Sequence, residues 1–160
     1  MEQVNRICRH PLWQKSVAEI AELEKDRVFC RHDIAHFLDV ARIASIENLE
    51  QGLGIPKDWI YAAALLHDIG RHLQYLNGTP HDHAGAVLAR QILADCGFAP
   101  NAQAEILAAV SDHRSEETKT AKTLAGVIYR ADKASRACLF CPARAACNWS
   151  DEKKNMRLGV

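Results

Sequence analysis

Neither sign of charge prevails in this chain. Twenty lysines and arginines meet twenty aspartates and glutamates, so no whole-molecule field draws it to nucleic acid or to an anionic membrane. Any recognition of phosphate has to be local. Long apolar runs are missing too, and no stretch approaches the roughly 20 residues that span a bilayer. The opening residues Met1 to Arg6 lack the apolar core of a signal peptide, which makes a cytoplasmic protein with no membrane partner the expectation. Also missing are an alternating strand pattern of useful length, an internal repeat and a low-complexity segment. Strands are thereby excluded as the main element, and helices remain. At 160 residues, with 48% hydrophobic and 25% charged composition, the chain suits one domain whose core needs no disulfide. The six cysteines read as thiols or metal ligands in a reducing compartment.

Apolar residues recurring at three and four mark the helices. Trp13, Val17 and Ile20 do so in a segment from Pro11 to Lys25, and Ile34, Phe37, Leu38, Ala41, Ile43 and Ile46 in one from Asp33 to Glu50. A third helix opens at Pro56 and runs to His67-Asp68, and a polar segment, Arg71 to Pro80, follows with the turn signal Asn77-Gly78-Thr79-Pro80. Further helices are expected over His81 to Cys96, Asn101 to His113 with Asn101 as cap, and Thr120 to Arg136. The reading is an all-α bundle of five to six helices.

The sharpest feature is Leu65-Leu66-His67-Asp68-Ile69-Gly70, where an apolar helix delivers two metal-capable side chains and stops at glycine. Burying such a pair is costly without a cation or a hydrogen-bond partner. Other helices interrupt their apolar faces in the same way. His36 stands between Ile34 and Phe37, His113 follows Ile106 and Val110, Asp132 follows Leu124 and Ile128, and His81 opens its helix. Any one of these alone has a plainer explanation, such as Asp132 pairing with Arg136. Several together, each costing about 1 to 3 kcal/mol if unpaired, point to a shared cation. His32 lies four residues before His36 and shares its face, and His83 is two residues from His81.

The order His36, His67-Asp68, Asp132, with the local texts His36-Phe37-Leu38-Asp39-Val40-Ala41 and Ala131-Asp132-Lys133, resembles the HD superfamily of metal-dependent phosphohydrolases. The resemblance covers residues 30–136. It implies an HD domain over 1–136, and a divalent metal on His36, His67, Asp68 and Asp132. His81 and His113 resemble the additional ligands of HD-type dinucleoside tetraphosphate hydrolases, in which case Asp68 bridges two ions, iron or manganese; otherwise both line a one-metal pocket and bind phosphate. The alignment favours His36 as ligand and leaves His32 in the pocket. The implied chemistry is water activated by the metal for attack on phosphorus, with Asp68 at the centre and Arg71 and Lys133 neutralising phosphate charge.

Residues 137–160 form a cysteine-containing extension expected to pack on the same domain. Cys138, Cys141 and Cys147 follow a C-x2-C-x5-C spacing, which could hold zinc or an iron-sulfur cluster with a fourth ligand such as Cys30. The family resemblance does not account for this tail. The expected partner is a small phosphorylated, nucleotide-like substrate, with nucleic acid disfavoured by the neutral charge and homo-oligomerisation left open. Two other readings stand beside hydrolysis: an HD-fold di-iron oxygenase acting on a small organic substrate, and a non-catalytic metal- or redox-sensing module.

Overall fold

The structure is a computed structural model that describes residues 1–157; the end of the expected extension, 158–160, lies outside the described residues. Those residues form eight α-helices joined by turns, without a strand among them: α1 (Glu2–Arg9), α2 (Pro11–Leu23), α3 (Ile34–Glu50), α4 (Lys57–Leu66), α5 (Arg71–Asn77), α6 (His81–Asp95), α7 (Pro100–Asp112) and α8 (Leu124–Ala134). The all-α class is as the sequence implies. None of these helices is long and apolar enough to cross a membrane.

Two helices exceed the expected five to six. Helix α1 buries only Val4 and Ile7, too few positions to show a period. Helix α5 takes up most of the polar segment Arg71 to Pro80, and buries only His72 before Gly78 ends it at φ +79°. That left-handed conformation is one glycine adopts without a Cβ penalty. Helix α7 starts one residue earlier than expected, with Pro100 in its first turn and Ala99 at the cap, so Asn101 lies inside the helix.

Helix α4 is the axis of the bundle. Ile60 and every residue from Ala62 to Leu66 are buried, as befits a helix that is apolar all round. It packs against α1, α3, α6, α7 and α8, and the three consecutive alanines leave room for those neighbours to approach. The indole N–H of Trp13 on α2 donates to the Leu65 carbonyl at 2.9 Å, occupying one of the acceptors that a helix C-terminus leaves free. Asn48 pins the α3–α4 turn, donating to the Ile55 carbonyl and accepting from its N–H. The extension continues from α8 through two short 3-10 turns, Cys138–Phe140 and Arg144–Ala146, and Asn155 ties back to the Ala134 carbonyl at 2.7 Å.

Candidate metal centre

Five helix ends converge on one buried spot. His67 is the C-cap of α4 and His113 the C-cap of α7, His81 is the first residue of α6, His36 lies in the first turn of α3 behind its cap Asp33, and Asp132 is near the end of α8. All of them, with Asp68, are buried. The close approach depends on Gly70, where a Cβ would lie 2.2 Å from the His81 carbonyl and 2.4 Å from the Gly85 nitrogen. Glycine there lets the doublet's turn meet the first turn of α6 backbone to backbone.

Asp68 joins two groups of ligand atoms, each group drawn within 4.8 Å: His36, His67, Asp68 and Asp132 in one, and Asp68, His81 and His113 in the other. Its Oδ2 is 3.2 Å from His67 Nε2 and 3.7 Å from His36 Nε2. Its Oδ1 is 3.1 Å from His81 Nε2 and 3.6 Å from His113 Nε2. Asp132 Oδ1 completes the first group at 3.4 Å from His36 Nε2.

The tautomers follow from the other ring nitrogens. His67 Nδ1 donates to the Ala64 carbonyl at 2.8 Å and His113 Nδ1 to the Val110 carbonyl at 2.7 Å, since a carbonyl can only accept. His81 Nδ1 donates to Gln74 Oε1. The Ser135 hydroxyl gives its hydrogen to the Asp132 carbonyl, so at 3.1 Å it accepts from His36 Nδ1. All four Nε2 atoms therefore face the centre with their lone pairs, that of His36 also accepting from Arg136 Nη2 at 3.3 Å, with His36 and His67 only 3.3 Å apart and His81 and His113 3.2 Å apart. Lone pair facing lone pair is repulsive, and Asp68 Oδ2 is buried with no hydrogen-bond partner. A cation relieves both, and four imidazoles with two carboxylates are a donor set suited to a divalent transition metal. The residues present fit such an ion.

Electrostatics treat the histidines differently: for His67 burial acts downward, but Asp68 outweighs it and raises the imidazole. Burial pushes His36 down to about 4, with the Arg136 guanidinium adding to it, and burial likewise lowers His81. For Asp68 burial acts upward, but His67 and Arg71 outweigh it and hold the carboxyl well below its usual range. Asp132 is held down in the same manner by Arg136 and Lys133.

Arg71 Nε donates to Asp68 Oδ1 at 3.0 Å. Lys133 Nζ is shared between Asp132 Oδ2 at 2.9 Å and the His113 carbonyl at 3.1 Å, over the Tyr129 ring. Arg136 donates to Asp132 Oδ1 at 2.8 Å. His32 also faces the site, with Nε2 3.7 Å from Asp68 Oδ2, whereas His83 is exposed outside it. The cysteines behave differently from their spacing. All six are free thiols, and among the described residues none of Cys30, Cys138, Cys141 or Cys147 belongs to a group whose ligand atoms lie within 4.8 Å. Cys138 turns into the core while the other three stay half-buried, so sequence proximity is not matched by convergence of the sulfurs. Sequence reasoning also missed Ser135, Gln74 and Glu24. The first two orient ligand-capable histidines, and Glu24 carries the signal of an acid one turn beyond the buried Ile20.

Comparison with known proteins bears on the same residues. The HD domain family profile matches residues 33–137. An uncharacterized protein of Clostridium beijerinckii is 45% identical over 137 residues, 86% of this chain and 85% of that protein. The crystal structure of a protein described as a predicted HD superfamily hydrolase, from an uncultured Thermotogales bacterium, superposes with a TM-score of 0.65 at 25% identity, covering 91% of this chain and 80% of that one. With the doublet at the centre of an all-helical bundle and the match spanning every helix that supplies a ligand-capable residue, the chain belongs to the HD domain family.

Proposed function

We propose that the protein is a metal-dependent phosphohydrolase or phosphodiesterase that attacks a nucleotide or similar small phosphate with water. The observation that carries this reading is the position of Asp68, one oxygen facing each ligand group. His36, His67, Asp68 and Asp132 would hold one ion, iron or manganese, and Asp68, His81 and His113 would hold a second. The chemistry an ion would supply there is a more acidic water and a polarised phosphoryl oxygen.

The chain's own residues supply the rest. Arg71 is anchored through Nε, and among the described residues its terminal nitrogens make no hydrogen bond, while 21% of the side chain stays exposed. An open guanidinium fork beside the site is suited to bidentate contact with phosphate. Lys133 and Arg136 keep Asp132 ionised. The description of the Thermotogales protein as a predicted hydrolase supports the same reading. A di-iron oxygenase would use the same donors, but Arg71 favours an anionic phosphate. The cysteine tail, as a zinc or cluster site, would require the sulfurs of Cys138, Cys141 and Cys147 to be drawn together.

The test is hydrolysis of a panel of nucleotides, model phosphomonoesters and model phosphodiesters by the manganese- or iron-loaded protein, monitored by release of phosphate or of the alcohol or nucleotide leaving group, wild type against Asp68→Ala. Release that is lost in the variant is the expected result. Metal-loaded protein that cleaves no phosphate and instead consumes oxygen would overturn the proposal in favour of the oxygenase.

A further inference from the structure

The family match begins at residue 33, and just ahead of it stand two buried residues with no part in either ligand group. Glu24, one residue past α2, and His32, two residues before α3, are each 3% exposed. Glu24 accepts the His32 backbone N–H on Oε2 at 2.7 Å and its Nδ1–H on Oε1 at 2.5 Å. Tyr75 of α5 donates its hydroxyl to the same Oε1 at 2.5 Å. Both carboxylate oxygens are thus engaged, and the carboxylate so braced holds one imidazole in one tautomer.

Because a carboxylate only accepts, the ring hydrogen is on Nδ1 and Nε2 is bare. That nitrogen faces Asp68 Oδ2 from 3.7 Å, yet lies outside both sets of atoms within 4.8 Å of one another. The other groups around Asp68 are already assigned. His36, His67, His81, His113 and Asp132 are ligand candidates, and Arg71, Lys133 and Arg136 can only donate. Among the described residues lining the centre, His32 is the acceptor left over for the O–H of a water molecule.

We propose that His32 orients the attacking water as its hydrogen-bond acceptor, and that Glu24, braced by Tyr75, is the positioning residue that keeps His32 Nε2 bare and aimed at the Asp68 edge of the site. The role of the water rests on the hydrolytic reading above. The tautomer and its cause do not.

Two measurements separate these. In metal-free protein with 15N-labelled histidine, two-bond proton–nitrogen NMR reports which ring nitrogen carries hydrogen. His32 should show Nδ1–H in the wild type and lose that single tautomer in Glu24→Gln. On titration with Zn2+, the Nε2 signals of His36, His67, His81 and His113 should move to coordinated positions and that of His32 should not. An Nε2–H tautomer, or coordination of Zn2+ by His32, overturns the proposal. In manganese-loaded enzyme acting on bis(p-nitrophenyl) phosphate and p-nitrophenyl phosphate, His32→Gln should retain its metal and its Tm while kcat falls about 100-fold at nearly constant KM. Glu24→Gln should fall comparably, Glu24→Asp should recover part of the loss, and the double variant should be no worse than His32→Gln alone. Unchanged kcat in His32→Gln, or multiplicative losses in the double variant, overturns the proposal. If wild type cleaves neither probe nor any nucleotide, the hydrolytic reading falls and takes the water with it, and the NMR result alone judges the Glu24–His32 pair.

Discussion

Asp68→Asn is the substitution on which the two-group geometry makes its strongest demand. Asparagine has the volume of aspartate, but one of its two terminal atoms is an NH2 donor. Oδ2 now faces His36 and His67 and Oδ1 faces His81 and His113, so the amide can present an oxygen to one group only. The other group must meet an N–H instead of a ligand. Binding to the folded state stabilises by RT ln(1 + [L]/Kd), about 2.7 kcal/mol per site when free metal is 100 times Kd. Two sites give about 5.4 kcal/mol, which for a chain of this size corresponds to a rise in Tm of roughly 10 to 20 °C. The variant should bind at most one ion and show at most half that rise. Differential scanning fluorimetry of chelator-treated protein with and without Mn2+, alongside elemental analysis of the loaded protein, measures both. Two ions and the full rise in Asp68→Asn would refute the shared-carboxylate argument. So would a wild type whose Tm is indifferent to Mn2+, Fe2+, Co2+ and Zn2+.

Three further outcomes follow from the same geometry. Ser135→Ala removes the acceptor of His36 Nδ1–H, and should weaken metal binding about 10- to 100-fold in competition with a chelator. Gly70→Ala drives a Cβ into the backbone of His81 and Gly85; it should fail to fold or, where folded, should lose the ion held by His81 and His113, as counted by elemental analysis. In metal-free protein His36 titrates at about 4 when folded and near 6.5 when not, so between those values the unfolded chain binds more protons and stability rises with pH. Glu24 acts in the same sense at lower pH. Burial pushes it up, but His32 outweighs this and holds it at about 2 against an ordinary 4.5, so its contribution is lost as pH falls from 4.5 toward 2. His67 works the other way: burial lowers it, Asp68 more than compensates, and its raised value adds stability that is present below 6.5 and lost as pH rises beyond. Urea midpoints should therefore climb from pH 4 to about 6.5 and then level or decline, and a monotonic rise through pH 8 would contradict the His67 assignment.

Fold class and the six ligand candidates were legible because each interrupts an apolar helical face, and interruption is visible in one dimension. Glu24 carries that very signal, following Trp13, Val17 and Ile20 at steps of four, three and four, and its burial shows the rule reaching further than the candidate metal ligands. Ser135 and Gln74 carry no such signal. They are ordinary polar residues whose roles arise only where α8 packs on α3 and α5 on α6. Helices α1 and α5 were hidden for want of length. The cysteines illustrate the reverse failure, since close spacing in sequence says nothing about where a 3-10 turn points each sulfur.

His67 and His113 suggest why this architecture can be read from sequence at all. A helix leaves its last carbonyls without partners, and each of these histidines, as the C-cap, returns its Nδ1–H to the carbonyl three residues back, Ala64 in α4 and Val110 in α7. His72 makes the same bond to the Ile69 carbonyl. One hydrogen bond thus does two things. It satisfies an acceptor that an apolar helix end would otherwise bury unpaired, and it places the hydrogen on Nδ1 so that Nε2 is bare. The direction of the exposed lone pair is then set by where the helix stops. A histidine that terminates an apolar helix is consequently oriented by local structure rather than by tertiary contacts, and the bundle needs only to bring helix ends together for the nitrogens to converge. His36 and His81 sit at helix starts, where no such carbonyl is available, and both depend on a side chain from another helix, Ser135 or Gln74, to set the tautomer. The two ligand groups each combine histidines of both kinds: His67 with His36, and His113 with His81.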